Sequence, residues 1–228
     1  MANVKDIDTN LQGQKLGNKG RITRERIMTV ARDLIENPSS EGFSLSAVAR
    51  HTELRMSSIY NYFADPTELF LAVFEPIAEE AEEAYIGLIR DRWPDEEVET
   101  RSTQFIAAFH TYWQRHSRIL HLRNRLADQH DERVMLKRIS MARNVVRLLG
   151  QQAGGNAVEG TGPEYDLASV LYTGLERVVT IATDEEMKAH YPPQIKPRFE
   201  GGTLYQQARL LALAISDERG RSQKRSAA

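Results

Sequence analysis

The spacing of apolar residues is the feature that most constrains the fold of this chain. Apolar side chains recur through most of the sequence at steps of three and four residues, which places them along one face of an α-helix. A clear example is the run Leu69, Phe70, Val73, Phe74 and Ile77. No segment alternates apolar and polar residues as a half-buried strand does. The pattern predicts an all-α fold of about nine helices.

Proline and capping residues mark where the first helices begin and end. The Asn37-Pro38 pair ends a first helix that is predicted over residues 23–36. Ser44 and Ser46 are candidate N-caps for a short second helix. After a tight turn, a third short helix is predicted over residues 56–63. Three short helices with this turn have the outline of a helix-turn-helix DNA reader, although small helical clusters of other function share it.

Later boundaries follow the same logic. Asp65 followed by Pro66 is a good start for a fourth helix, and Pro76 predicts a kink or a boundary within it. Another helix follows Pro94, and two more are predicted over residues 117–128 and 131–152. Beyond a glycine-rich loop, a long helix over residues 164–188 and a last helix over residues 203–216 complete the chain.

Charge is unevenly distributed although the net charge is only -2. Residues 64–100 carry two basic and twelve acidic groups, whereas residues 101–150 carry ten basic and three acidic groups. The segment before and within the first helix is locally basic, which suits contact with phosphates; a solvated, flexible arm is the alternative. These basic residues are Lys15, Lys19, Arg21, Arg24 and Arg26.

Several classes of protein are disfavoured by what the sequence lacks. It has no cysteine, no secretory signal and no apolar run long enough to span a membrane, so we expect a cytoplasmic protein that does not bind membranes. No phosphate loop or serine elbow is present. The closely spaced histidines avoid the i, i+4 step of zinc pairs; they are His110, His116, His121 and His130. We therefore expect no enzymatic activity, no catalytic residue, no metal and no cofactor.

Four stretches together resemble the N-terminal domain of the TetR (tetracycline repressor) family. They are RERIMTVARDLI at 24–35, GFSLSAVA at 42–49, SIYNYF at 58–63 and EL at 68–69. The resemblance covers about residues 22–75, and its ordered spacing is specific. It implies a helix-turn-helix DNA-binding domain (21–66) and a helical regulatory and dimerisation domain (67–216). The polar, aperiodic composition of the two ends predicts a flexible basic arm (1–20) and a flexible tail (217–228).

The resemblance also implies a set of DNA contacts. The third helix would enter the major groove, and Tyr60 would touch the phosphate backbone, as would Ser44 or Ser46 near the start of the second helix. Phosphate contacts are implied for Arg24 as well. The groove-facing set would be Arg55, Ser57, Ser58, Asn61 and Tyr62. Its polar side chains have the hydrogen-bonding groups that such readout needs.

Three positions depart from the family pattern. Glu53 stands where the turn commonly has glycine, and Arg55 where a serine often opens the third helix. Pro66 stands where a lysine is common, which removes one phosphate contact. Arg55 could add a guanine contact, because its fork fits the O6 and N7 acceptors.

The remainder of the chain is interpreted on its chemistry. An aromatic stripe with polar neighbours could line a small-molecule cavity, and an ordinary helix core is the alternative. The candidate ligand residues are Phe105, Phe109, His110, Tyr112, Trp113 and His121, with Tyr172, Arg177 and Glu176 on the long helix.

The last two helices carry the predicted subunit contact. Resemblance implies that they pack on a second copy as a four-helix bundle; a monomer core is the alternative. The interface residues would be Val170, Leu171, Gly174, Val178, Leu210, Leu211 and Leu213. The predicted function is a TetR-type repressor that binds palindromic double-stranded DNA as a homodimer and is released by a small-molecule effector. The alternative is a helical interaction protein that has lost DNA binding.

Overall fold

The computed structural model describes residues 15–37, 42–155, 161–192 and 201–226. These residues form ten α-helices and no strand, so the predicted all-α fold is confirmed. Residues 1–14 of the predicted arm, and residues 156–160 of the glycine-rich loop, lie outside the described residues. The helices are α1 (Asn18–Glu36), α2 (Leu45–His51), α3 (Met56–Ile59), α4 (Pro66–Ala84), α5 (Val98–Arg115), α6 (Ser117–Asp128), α7 (Glu132–Gln152), α8 (Pro163–Ala182), α9 (Glu185–Ala189) and α10 (Thr203–Ser226).

The first three helices form a small unit around an apolar centre. Ile27 of α1 and Ile59 of α3 are fully buried there, and Phe63 follows α3 into the same core. Arg26 of α1 donates a hydrogen bond from Nη2 to the carbonyl oxygen of Thr52 at the end of α2, 2.7 Å away. That bond satisfies a terminal helix carbonyl and fixes α2 against α1.

Helix α4 joins this unit to the rest of the chain. Asp65 caps it by accepting a hydrogen bond from the Glu68 amide, and Pro66 occupies its first turn. The helix continues through Pro76, so the boundary considered there is not formed. Phe74 and Ile77, on either side of the proline, are fully buried. Burial of two large apolar side chains outweighs the one hydrogen bond that an exposed proline forfeits.

Helices α5, α6, α7, α8 and α10 share one continuous core with α4. Helix α10 packs along α5, α8 packs along α7, and α6 contacts both α7 and α1. Two short 3-10 turns, Ile86–Ile89 and Asp95–Glu97, connect α4 to α5. In the described parts of the chain, each helix is too short or too polar to traverse a lipid bilayer.

Some helix bounds differ from those expected. Helix α1 begins at Asn18 rather than near residue 23, and α3 ends at Ile59, after which residues 60–62 form turns. The long helix expected over residues 164–188 is divided between α8 and α9. The division occurs because Asp184 caps a new helix, accepting a hydrogen bond from the Met187 amide.

The prediction of a flexible tail is wrong for residues 217–226, because α10 runs to Ser226. Arg219 is only 4% exposed. It donates hydrogen bonds to the carbonyl oxygens of Gln152 and Trp93, at 2.7 and 3.0 Å, and pairs with Asp95. The Gln152 side chain in turn donates to the carbonyl oxygens of Ile89 and Asp91. The arginine thus fastens α10 to the end of α7 and to the loop before α5.

Arg219→Ala should lower the free energy of unfolding by about 3 kcal/mol, because it strips hydrogen bonds from buried carbonyl groups. Arg221→Ala is the matched control, since this exposed arginine lies on the same helix and its ion pair is with exposed Asp217. It should cost less than about 0.5 kcal/mol. Urea denaturation of the two variants tests this, and equal stability would show that the Arg219 contacts contribute nothing.

Candidate nucleic-acid interface and regulatory core

The turn between α2 and α3 is built as a helix-terminating motif. The Leu54 amide donates to the carbonyl oxygen of Ala49, and the Glu53 amide to that of Arg50. This pair of bonds is the Schellman arrangement, which requires a left-handed residue just past the helix end. Glu53 is that residue, with φ +54°. The position where the family commonly has glycine is therefore one where the backbone favours glycine.

The two helix starts around this turn are capped differently. Ser44 Oγ accepts a hydrogen bond from the Ala47 amide, 3.2 Å away, and lies 3.1 Å from Ser46 Oγ. It is an N-cap, as the sequence predicts, while Ser46 is exposed. Arg55 occupies the cap position of α3 but makes no side-chain capping bond, so its exposed guanidinium is not used to cap the helix.

The third helix presents a polar edge outward. Its apolar residue Ile59 and the following Phe63 are buried, whereas Tyr60 is 49% exposed. None of the nine predicted DNA-contacting residues is buried. Besides Tyr60, the exposed ones are Ser46, Arg55, Ser57 and Asn61. The half-buried ones are Arg24, Ser44, Ser58 and Tyr62.

Arg24 is held close to the core beside this edge. Its guanidinium carbon lies 5.1 Å from the centre of the Phe63 ring, and Nη1 is 3.1 Å from Met28 Sδ. Partial burial lowers the pKa of Arg24, although the coulombic effect of Glu68 opposes that shift. A cation fixed against an aromatic ring is positioned with less loss of side-chain freedom when it meets a phosphate.

The acidic block, residues 64–100, is partly neutralised within the chain. Its carboxylates pair across helices with bases of the following block or with nearby arginines. The described pairs are Asp65 with Arg133, Glu75 with Lys137, Glu80 with Arg115, Glu82 with Arg90, Asp95 with Arg92 and Arg219, and Glu97 with Arg101. The charge alternation along the sequence is thus partly intramolecular pairing.

One of these pairs lies where the N-terminal unit meets α7. Arg133 donates to both carboxylate oxygens of Asp65, at 2.9 and 3.1 Å. Thr67 donates to Asp131 over 2.8 Å. The hydrogen bond from Arg133 lowers the pKa of Asp65. These contacts join the first turns of α4 and α7.

The aromatic stripe forms a packed cluster. The rings of Phe105, Phe109, Tyr112 and Trp113 are at most 3% exposed. Tyr112 donates its hydroxyl to the carbonyl oxygen of Ile77, 2.8 Å away, and burial raises its pKa. For these four residues the geometry agrees with the core alternative; their role in ligand binding stays a prediction.

The other candidate ligand residues have different surroundings. His121 Nε2 lies 3.2 Å from Thr183 Oγ1, and burial lowers the pKa of this histidine. Tyr172 is buried and packs edge-on against Phe109. His110 is half-buried and Arg177 is exposed. Among the described residues, no three acidic or histidine side chains are placed to hold a metal ion.

Sequence reasoning missed two members of this region. Tyr85 lies between Phe105, Phe109 and Tyr112, with ring centres 4.9 to 6.2 Å away. Arg123 is 3% exposed and donates to Glu176 over 2.8 Å. Its guanidinium lies 5.4 Å from the centre of the Trp113 ring. The helical spacing from Ile119 was a signal that Arg123 faces inward.

A groove lies on the surface beside this cluster, between α6, α7 and α8. Its volume is about 460 Å³. It is lined by Ala127, Asp128, Met135, Arg138, Ile139, Ala142, Arg143, Val146, Tyr165, Ser169, Tyr172, Thr173 and Glu176. Tyr172 therefore belongs both to the aromatic cluster and to the groove wall.

The predicted interface residues form an apolar face on α8 and α10. Val170, Leu210 and Leu213 are 71%, 58% and 59% exposed. A Cβ added at Gly174 would meet no other atom, so the helix surface is open there. Leu171 and Val178 are half-buried, whereas Leu211 is buried within the chain. The core alternative thus describes Leu211, and the other six residues stay predicted contacts.

Comparison with known proteins finds distant likeness in structure alone. No protein-family model matches the sequence, and no curated protein matches it. Among solved structures, the chain is similar to a transcriptional regulator (TerR/AcrR family) from Aquifex aeolicus VF5. The TM-score is 0.48 and the identity 17%, over 79% of this chain and 97% of that one. Both values are too low to transfer a function.

Glu53→Gly should raise the free energy of unfolding by about 0.5 to 1 kcal/mol, because glycine adopts a left-handed backbone without steric cost. Glu53→Ala is the matched control, since it removes the same side chain but keeps a Cβ, and it should give no such gain. Thermal and urea denaturation measure both variants. An equal gain in both variants would place the effect in loss of the carboxylate and not in the backbone.

Proposed function

We propose that this chain is a TetR-type transcriptional regulator in which α3 reads the major groove of DNA. The observation that carries the proposal is the orientation of α3: Ile59 and Phe63 anchor it in the core while Arg55, Ser57 and Asn61 face solvent. A short helix held in this way can place polar side chains against base edges. Arg55, left without a capping role, is the residue we assign to a guanine.

Phosphate contacts would surround this reading helix. Tyr60 and Ser46 are exposed beside it, and Arg24 is held at its edge. Exposed Lys19, Arg21 and Arg50 add positive charge in the same unit. Neutralising phosphates releases condensed counterions, so binding should weaken steeply as salt rises.

Pairing through the apolar face of α8 and α10 would give a twofold dimer. Exposed leucine and valine side chains gain stability when a second copy covers them. A twofold dimer presents two reading helices, and these require a palindromic operator. Repression and release by a small molecule complete the proposed role, which we place in the cytoplasm.

The alternative is a helical interaction protein without DNA affinity, and the acidic block of residues 64–100 is the sequence feature that favours it. Much of that block is paired with bases inside the chain, so it offers a partner less negative charge than the sequence suggests. Among the described residues, the exposed side chains of Arg55, Ser57 and Asn61 on this edge have no such intramolecular partner. Polar groups left available in this way favour DNA recognition.

Arg55→Ala and Tyr60→Ala should each weaken operator binding about tenfold to a hundredfold, because each removes a base or phosphate contact. The operator is first selected from random duplexes at moderate salt, and affinity is then measured by fluorescence anisotropy. Arg221→Ala on α10 is the charge-matched control. No sequence preference in the selection would defeat the proposal, and unchanged affinity in both variants would defeat the assignment of these residues.

Leu210→Glu should convert the dimer to a monomer, since a charge buried in an apolar contact is costly. Sedimentation equilibrium measures the change, and circular dichroism checks that the helices persist. Gln206→Glu, at an exposed position of the same helix, controls for added charge. A dimer that survives Leu210→Glu would place the subunit contact elsewhere.

A further inference from the structure

The groove between α6, α7 and α8 has the size of a small-molecule site. Its volume of about 460 Å³ lies within the roughly 300 to 1,000 Å³ typical of such sites. Two contacts show that α7 and α8 run antiparallel along the groove. Arg138, early in α7, pairs with Glu176, late in α8. Gly150, near the end of α7, lies against Tyr165 near the start of α8. The groove therefore has two chemically distinct ends.

Charges at the first end compensate one another. Glu176 accepts hydrogen bonds from Arg123 and Arg138, at 2.8 and 3.3 Å. Arg138 also pairs with Asp128 over 3.2 Å. Two carboxylates thus face two guanidinium groups, and this end holds no excess charge for a ligand to neutralise.

Arg143 supplies the uncompensated charge. It lines the groove more than one turn further along α7 and is exposed. In the part of the chain that the structure describes, Arg143 forms no ion pair. The groove therefore carries a net positive charge, which is located at Arg143. A guanidinium fork suits a carboxylate, sulfonate or phosphate.

The floor between these points is apolar. Ile139, Ala142 and Val146 line one wall, and Tyr172 lines the other. The hydroxyl groups of Ser169 and Thr173 donate to backbone carbonyl oxygens one turn back on α8, at 2.9 and 2.8 Å. Their protons are already used, so the middle of the groove favours a body without hydrogen-bond acceptors.

We propose that this groove binds a small amphipathic organic anion, with an aromatic or alicyclic body between Ile139 and Tyr172 and its acidic group on Arg143. The role of this groove as an effector site rests on the proposed regulator function, whereas the binding itself does not depend on that function. Helix α7 carries the groove residues and, at its first turn, the Arg133 contact to Asp65. Binding there would act on the helix that meets the DNA-binding unit.

Two fluorescent probes that differ by one sulfonate test the site. These are 8-anilinonaphthalene-1-sulfonate and its uncharged analogue N-phenyl-1-naphthylamine, each titrated into the full-length protein without DNA. Arg143→Gln should weaken binding of the sulfonate about tenfold, as loss of one charge-assisted contact implies, and change binding of the analogue less than twofold. Arg147→Gln, one turn along α7 and outside the groove lining, should leave both unchanged.

A second variant tests the body of the groove. Ala142→Trp should fill the floor and weaken both probes, while circular dichroism shows that the helices are retained. Equal sulfonate binding in the Arg143→Gln variant and the unmodified protein, or loss of binding only in Leu210→Glu, would overturn the proposal. Because no DNA is present, this result can fail while operator binding holds, and the reverse.

Discussion

Burial of one face of α4 is the contact on which both halves of this protein depend. Leu69, Phe70, Phe74 and Ile77 are fully buried along it, and the helix packs against α1 on one side and α5 and α7 on others. Each large apolar side chain contributes about 1.5 to 3 kcal/mol when removed from water. With that much apolar surface shared, the three-helix unit and the helical domain are parts of one core. A displacement of α4 must therefore be felt in both.

The polar contacts at the start of α4 act on geometry more than on stability. Asp65 both caps α4 and receives two hydrogen bonds from Arg133, but its side chain and that of Arg133 are partly exposed, and such pairs contribute little free energy. What they provide is direction, since a bidentate arginine fixes the angle between two groups. Because these contacts join the first turns of α4 and α7, a small rotation of α7 would be passed to the three-helix unit without large energetic cost.

Sequence reasoning succeeded where structure is decided locally and failed where distant segments meet. Ser44 and Asp65 were identifiable as caps because each serves amides three residues away, and the buried face of α3 followed from helical spacing. Arg219 could not be placed, because its partners Gln152 and Trp93 lie 67 and 126 residues away. Considered alone, the charged segment around Arg219 predicts solvent exposure. The carbonyl groups of Gln152 and Trp93 are what make burial of Arg219 favourable. The groove was missed for the same reason: three helices are needed to form it.

Tyr172 reconciles the predicted ligand residues with the groove that the helices form. Its ring packs against Phe109, within the aromatic cluster that the sequence singled out, and it also lines the groove. Glu176, one turn further along α8, links the two regions through Arg123, which lies over Trp113, and through Arg138 in the groove. A ligand against Tyr172 would therefore press on the aromatic core without entering it. Because close-packed interiors transmit strain and compress little, the cluster would move as a unit if the proposed ligand displaced Tyr172, and such a unit is what a two-state change requires.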